Sequence, residues 1–377
     1  MMMNRITNLK VLISGGGTGG HIFPAIAIAN ALKAEIPSAK IRFVGAQGKM
    51  EMQKVPQAGY PIDGLWISGL KRELTVTNLA FPFKVISSLL GAYKIIKNFK
   101  PDVVIGTGGY ASGPTLRVAG WMGIPTMIQE QNSFPGITNK MLAGKAKAIF
   151  TAYDGMEMYF PTNKIHQTGN PIRREMINIE GKRDLACSYF NLDPNLKTLF
   201  IVGGSQGARS INLAIEGSLS LLEELGIQMV WQTGTNFLIN ASSAIKKGKH
   251  QHFKAVDFIR EMDMAYAAAD VVVSRAGAMA IAELAATGKP TIFVPLPTAA
   301  EDHQRHNAEA LVKHNAAIMV ADKDVNTLLA PTIADLINNS EKCKTLSENI
   351  LKLAKPDADA IIASTIINLL SNPKTEH

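Results

Sequence analysis

Two glycine-rich turns, Gly15 Gly16 Gly17 Thr18 Gly19 Gly20 His21 and Gly203 Gly204 Ser205 Gln206 Gly207 Ala208 Arg209, each follow an apolar run and open an apolar-periodic segment. Glycine suits a turn so tight that the backbone must approach another group closely. The unpaired N–H groups at the start of the helix that follows attract anionic oxygen. Two such cradles in one chain imply two nucleotide-type α/β domains facing one ligand.

The rest of the chain supports that reading. Short apolar runs alternate with helical patterns at Val11 to Ser14, Ile41 to Val44, Val103 to Ile105, Thr126 to Gln129 and Ala148 to Thr151. The series restarts at Thr198 to Val202, Gln228 to Gln232, Phe253 to Val256, Val271 to Ser274, Thr291 to Val294 and Ala317 to Val320. The runs are continuous rather than alternating, as expected for parallel strands covered by helices on both faces. The expected fold class is α/β, with two doubly wound Rossmann-like domains. A break at Gly169 Asn170 Pro171 and another at Pro356 divide the chain into 1–170, 171–355 and 356–377. The last piece reads as an apolar helix that packs back on the first domain.

At 377 residues, with 46% hydrophobic content, the chain can bury two cores. Its two cysteines, Cys187 and Cys343, lie far apart with no metal-ligand spacing, so neither a disulfide framework nor a zinc site is expected. The amino-terminal residues run straight into the first strand with no secretory pattern, which reads as a cytosolic chain. A net charge of +8 suits an anionic substrate or surface. Nucleic acid is not expected, because the basic cluster Lys246 Lys247 Gly248 Lys249 has no aromatic stacking platform beside it.

In doubly wound sheets, ligands sit at the carboxyl ends of the strands where the strand order reverses. Gly106 Thr107 Gly108 Gly109 Tyr110, Glu130 Gln131 Asn132, Ser274 Arg275 Ala276 Gly277 Ala278 and Pro295 Leu296 Pro297 all fall at such ends. Gly15, Gly17 and Gly20 fit the dinucleotide fingerprint, but the second strand ends Phe43 Val44 Gly45 Ala46 Gln47 with no carboxylate for a ribose. No glycine loop continues into Gly-Lys-Ser or Gly-Lys-Thr, which argues against a P-loop NTPase. The triplets Asp322 Lys323 Asp324 and Asp357 Ala358 Asp359 precede or open helices and read as N-caps rather than as a metal pair. A diphosphate leaving group is then left to helix N-termini, and no protein-ligated metal or other cofactor is expected.

Gly16 to Pro24, Gly106 to Pro114, Glu130 to Lys140, Gly169 to Arg173, Gly203 to Asn212 and Arg275 to Glu283 carry a resemblance. Together they resemble the MurG family, the undecaprenyl-diphospho-muramoylpentapeptide N-acetylglucosaminyltransferases of bacterial peptidoglycan synthesis. The resemblance implies a GT-B fold with a cleft between its two domains. It also implies inverting transfer of N-acetylglucosamine from UDP-GlcNAc to the 4-hydroxyl of the muramoyl sugar of lipid I, giving lipid II and UDP. Donor contacts carried over by motif are Thr18, Gly19, Gly20, Asn132, Arg173, Ser205, Ile259, Ala278, Met279, Ala280, Ile281, Ala282, Glu283, Gln304 and Asn307. Ile259 would address uracil through its backbone, Glu283 the ribose, and Gln304 and Asn307 the sugar hydroxyls. Ala280 stands where the family often has a hydroxyl residue, and Asp302 His303 Gln304 departs from the family's acidic-Gln-Gln segment.

His21 and Glu130 are rival candidates for the catalytic base, since both stand at strand or helix ends facing the expected ligand. Tyr110 and Asn139 are expected to position the acceptor. The resemblance further implies a peripheral enzyme at the cytoplasmic face of the bacterial inner membrane, with cell-wall synthesis proteins as partners and a bearing on cell shape and division. In keeping with this, Leu79, Phe83, Ile86, Leu90 and Tyr93 recur at helical spacing among Lys71, Arg72, Lys84, Lys94, Lys97 and Lys100. That pattern fits either an interfacial element on an anionic membrane surface or a helix buried against the sheet, and exposure of Phe81 and Trp121 would favour the first. The alternatives are a UDP-GlcNAc 2-epimerase and a non-catalytic nucleotide-sugar-binding protein.

Overall fold

The structure is a computed structural model that describes residues 8–68, 81–172, 174–204 and 206–371. Arg173, Ser205, Lys71, Arg72 and Leu79 lie outside the described residues. The chain divides into two compact units, 1–172 with 355–377, and 173–354.

The first unit runs β1 (Lys10–Gly15), α1 (Gly19–Glu35), β2 (Lys40–Ala46), α2 (Glu51–Gln57), β3 (Ile62–Leu65), α3 (Phe81–Phe99), β4 (Val103–Gly108), α4 (Ser112–Trp121), β5 (Thr126–Glu130), α5 (Ile137–Ala143), β6 (Ala148–Thr151) and β7 (Ile165–Gln167). The second runs α6 (Arg183–Phe190), β8 (Thr198–Val202), α7 (Arg209–Glu216), α8 (Leu219–Glu224), β9 (Gln228–Gln232), α9 (Leu238–Gly248), β10 (Phe253–Val256), α10 (Met262–Ala268), β11 (Val271–Ser274), α11 (Ala278–Thr287), β12 (Thr291–Phe293), α12 (His303–Lys313), β13 (Ile318–Met319), α13 (Val325–Asn338) and α14 (Ser340–Lys352). Helix α15 (Ala358–Ser371) returns to the first unit.

Both sheets are parallel, in the orders β3-β2-β1-β4-β5-β6-β7 and β10-β9-β8-β11-β12-β13. Each order reverses once, between β1 and β4 in the first sheet and between β8 and β11 in the second, so each unit is doubly wound. The central strands are buried on both faces, which is why they read as unbroken apolar runs. Val11 and Ile13 pack into one layer with Ile22 and Ile28 of α1, while Leu12 faces a separate layer with Val104 and Ile128. Helix α15 closes the first of these layers, where Ile362 and Ile366 join the α1 side chains. Each fully buried isoleucine there contributes about 1.5–3 kcal/mol.

The second unit also holds a largely buried lysine. Lys289, between α11 and β12, donates from Nζ to the Ala269 carbonyl at 2.8 Å, and burial pulls its ammonium down to about 8. Below that value both folded and unfolded chains are protonated, and the folded chain bears the full cost of burying the charge. As the pH climbs towards the model-peptide value of 10.5, the unfolded chain also gives up its proton and the cost disappears. Lys289→Met is therefore expected to raise stability near neutral pH by about 1–2 kcal/mol, after loss of the hydrogen bond to Ala269. The gain shrinks as the pH rises from about 8 towards 10.5, which thermal melts across that range would check.

Candidate functional site: strand-end turns and the His21–Gln131 pair

Where the first sheet reverses, the turns after β1 and β4 stand back to back. The Gly16 N–H donates to the Gly108 carbonyl at 3.3 Å. A Cβ on Gly109 would lie 2.1 Å from the Gly16 carbonyl oxygen, and one on Gly108 would lie 2.7 Å from Nδ1 of His21. With φ of +99° and +84°, Gly108 and Gly109 also occupy the left-handed region that side chains avoid. The sequence places glycine here because main chain and imidazole fill the space.

His21 lies in the first turn of α1, with Nδ1 3.0 Å from Oε1 of Gln131. The Gln131 amide nitrogen donates to the carbonyls of Thr107 at 2.8 Å and Gln129 at 3.2 Å, and to the Gln129 side-chain oxygen. Those acceptors fix the amide so that its oxygen faces the ring. In the neutral imidazole, Nδ1 therefore carries the hydrogen and Nε2 carries the lone pair. Thr107 Oγ1 donates to the His21 carbonyl at 2.8 Å, tying the helix start to β4.

Thr18 is the exposed N-cap of α1, and its side chain does not cap the helix. The first helical N–H groups, at Gly19 and Gly20, have no acceptor within the helix. Gly17 differs, because its N–H donates to Oε2 of Glu51 at 2.9 Å. The protein's own carboxylate thus occupies the N–H just ahead of the N-cap, outside the expected contacts Thr18, Gly19 and Gly20.

Glu130, 2% exposed, is wrapped by donors. Its Oε1 accepts from the Asn132 N–H at 3.0 Å and Nδ2 at 3.2 Å, and its Oε2 from the Gly136 N–H at 3.2 Å and Asn139 Nδ2 at 2.7 Å. Burial pushes the carboxyl above its usual range, against the pull of those donors. The strand-end triplet therefore divides its work: Gln131 addresses His21, while Glu130, Asn132 and buried Asn139 shape the turn into α5. Tyr110 is half exposed at the end of the β4 turn.

In the second unit, the turn after β8 packs on the turn after β9. Gly207, at φ +75°, would place a Cβ 2.0 Å from the Thr233 carbonyl oxygen. Gln232 joins two segments, donating from Nε2 to the Gly204 carbonyl at 3.1 Å and accepting the Ile259 N–H at Oε1 at 2.9 Å. Arg275, at the end of β11, donates to the Val294 carbonyl at 3.0 Å, the Pro295 carbonyl at 3.2 Å, Asp322 at 2.6 Å and Ser210 Oγ at 2.8 Å. This corrects the capping role expected of Asp322, whose carboxylate is bound to Arg275 and Ser210.

Helix α11 starts from Gly277 with no acidic residue in its first turn. Ala278 and Ile281 turn inward, while Met279, Ala280, Ala282 and Glu283 are partly exposed. Glu283 Oε2 accepts from the Tyr266 hydroxyl at 2.9 Å. Gln304 accepts the Leu296 N–H at 3.0 Å, and Asn307 is fully buried with Nδ2 3.5 Å from the Ala276 carbonyl. Just ahead of α12, Glu301 and Asp302 both hold φ of +54°, a strained pair of the kind found near ligand sites.

Residues 11–151 match the glycosyltransferase family 28 N-terminal domain, and residues 198–361 match the family's C-terminal domain. The chain is 50% identical over 365 residues to the UDP-N-acetylglucosamine–N-acetylmuramyl-(pentapeptide) pyrophosphoryl-undecaprenol N-acetylglucosamine transferase of Cytophaga hutchinsonii, covering 97% of this chain and 98% of that one. The crystal structure of Acinetobacter baumannii MurG superposes with a TM-score of 0.78 at 27% identity, over 96% of this chain and 99% of that one. The chain belongs to the MurG family. A UDP-GlcNAc 2-epimerase from Neisseria meningitidis shares the fold, with a TM-score of 0.66 at 17% identity, over 96% of this chain and 100% of that one. MurG relatives match this chain end to end at far higher identity, and the GT-B architecture is common to both.

Within the MurG frame, Glu51 and Gln232 stand out as residues the sequence did not single out, and Gln131, part of a strand-end motif there, gains a role as the partner of His21. Each bonds main chain or imidazole far away in sequence, so no local spacing marks it. Gly45 and Gly16 were the available signals for Glu51, because glycine near a strand end implies close approach, and a Cβ would lie 2.5 Å from Glu51 Cγ at the first and 2.2 Å from its Oε1 at the second.

Proposed function

We propose that this enzyme transfers N-acetylglucosamine from UDP-GlcNAc to the 4-hydroxyl of the MurNAc-pentapeptide of lipid I with inversion, releasing UDP and lipid II in peptidoglycan synthesis. The observation that carries this is the identity of 50% across 97% of the chain to a transferase named for that reaction. The strand-end geometry supplies a mechanism. Nε2 of His21 takes the proton of the attacking hydroxyl, while Gln131 holds Nδ1–H and stabilises the imidazolium that forms. Glu130 holds the segment from Asn132 to Asn139 in place, through the Asn132 and Gly136 amides and the Asn139 side chain.

Leaving-group charge falls to the N-terminus of α11, worth roughly half a positive charge. Glu283 accepts from the ribose, and the amide N–H groups of Gln304 donate to sugar hydroxyls. Because the Ile259 N–H is engaged by Gln232, uracil is read there through the Ile259 carbonyl. No protein-held metal is required in this reading. Transfer of labelled N-acetylglucosamine to a lipid I analogue should proceed with chelator present; tight donor binding without product would sink the transferase reading in favour of epimerisation or simple binding.

Membrane association belongs to the same reading. Phe83, Ile86 and Leu90 on α3 are 69%, 57% and 60% exposed, Trp121 on α4 is 62% exposed, and Phe81 is partly exposed. The opposite face of α3 buries Ser88, Ala92 and Ile96. Phe83, Ile86, Ser87, Leu90, Gly91 and Lys94 line a groove of about 410 Å³. Among the described residues no helix is long and apolar enough to cross a membrane. An apolar face bordered by Lys94 and Lys97 suits peripheral docking on an anionic leaflet. Ile86→Glu with Leu90→Glu is expected to weaken co-sedimentation with anionic vesicles by about tenfold or more, while transfer to a water-soluble acceptor is kept. Undiminished sedimentation would remove this face from the account.

A further inference from the structure

We infer that Glu51 is a positioning residue for the transfer, a buried carboxylate that sets the shape of the first glycine turn and so the place of His21. This inference rests on the transferase reading above. Glu51 opens α2 and is 0% exposed. Its Oε2 accepts the Gly17 N–H and its Oε1 the Ala46 N–H, both at 2.9 Å, so one carboxylate clasps the turn after β1 to the end of β2. Its surroundings are built for it. A Cβ on Gly16 would lie 2.2 Å from Oε1, and one on Gly45 would lie 2.5 Å from Cγ.

Two consequences follow for chemistry. The Gly17 N–H is withdrawn from any ligand, which confines anion contact in this turn to the groups from Thr18 onward. The clasp also ends four residues before His21, whose carbonyl is held by Thr107 and whose ring is held by Gln131. The helix start is thereby fixed from two directions. Loss of one leaves Nε2 free to shift by a fraction of an ångström to about 1 Å, a displacement that can cost about 100-fold in rate.

The isosteric substitution Glu51→Gln is the informative one. An amide offers one acceptor and one donor where the site presents two N–H donors, so one clasp becomes a donor–donor clash without a change in volume. In folded Glu51→Gln, kcat is expected to fall about 30- to 100-fold with donor KM changed less than about threefold. Amide exchange at residues 16–20 should speed up while exchange in β8 stays slow. Unchanged kcat in the folded variant, or a fall that merely tracks the unfolded fraction, would overturn the inference. Should the variant not fold, exchange in the wild-type protein decides: the Gly17 and Ala46 amides are expected to be protected without ligand, and rapid exchange at Gly17 refutes the clasp. Absence of turnover in the wild type would instead defeat the transferase reading, leaving the exchange result to judge the clasp alone.

Discussion

His21→Ala is expected to lower kcat for transfer by about 10²- to 10⁴-fold, the range associated with loss of a positioned general base, with little change in donor KM. The imidazole is not free to choose its tautomer, because Gln131 is itself oriented by carbonyl acceptors on β4 and β5. Gln131→Leu should therefore share part of the loss, about tenfold, although it leaves the imidazole in place. The measurement is steady-state transfer to a lipid I analogue for wild type and both variants. Wild-type turnover in His21→Ala would remove His21 as the base and leave Glu130, its rival from the sequence, to be tested by Glu130→Gln in the same assay.

Gly109→Ala is expected to be the most damaging small substitution in the first unit. The new methyl would lie 2.1 Å from the Gly16 carbonyl oxygen, and φ of +84° is strained for alanine whatever the space. Because main chain meets main chain, no side chain can rotate away. A loss of about 3 kcal/mol or more is expected, which for a unit of this size lowers Tm by about 6–12 °C. Gly120→Ala on α4 is the matched control, since a Cβ there meets nothing within 4 Å. It should stabilise by about 0.5–1 kcal/mol through helix propensity. Equal melting temperatures for the two variants would refute the back-to-back packing of the β1 and β4 turns.

The architecture was legible where burial dictated composition. β6, β8, β9 and β11 occupy the residues expected from their apolar runs, because strands covered on both faces leave little choice of side chain. β3 and β7 were not read. Both are edge strands, partly exposed, and Ile62–Leu65 carries Asp63 and Gly64 while Ile165–Gln167 carries His166. With one neighbour and one open side, neither needs an apolar run. The candidate site shows the same division. Glycine betrayed the strand-end turns because close approach excludes other residues. Their supports stayed hidden, because Glu51 reaches across 34 residues to Gly17 and Gln131 across 110 to His21. The end of β2 carries no carboxylate of its own, the feature that argued against a dinucleotide fingerprint. What it did not reveal is that a carboxylate arrives five residues beyond Ala46 and turns beneath the loop.

The return of α15 to the first unit fixes an order of assembly. Helix α1, which carries His21, shares its core layer with Ile362 and Ile366, and the whole of 173–354 is made before those residues leave the ribosome. During synthesis the second unit can collapse on its own sheet while the first still lacks one wall of its core. The first unit therefore completes its core only after α15 has been made. A nascent chain stalled before residue 358 would hold both glycine turns and both sheets, yet would leave the His21 helix with a gap of buried isoleucine at its back.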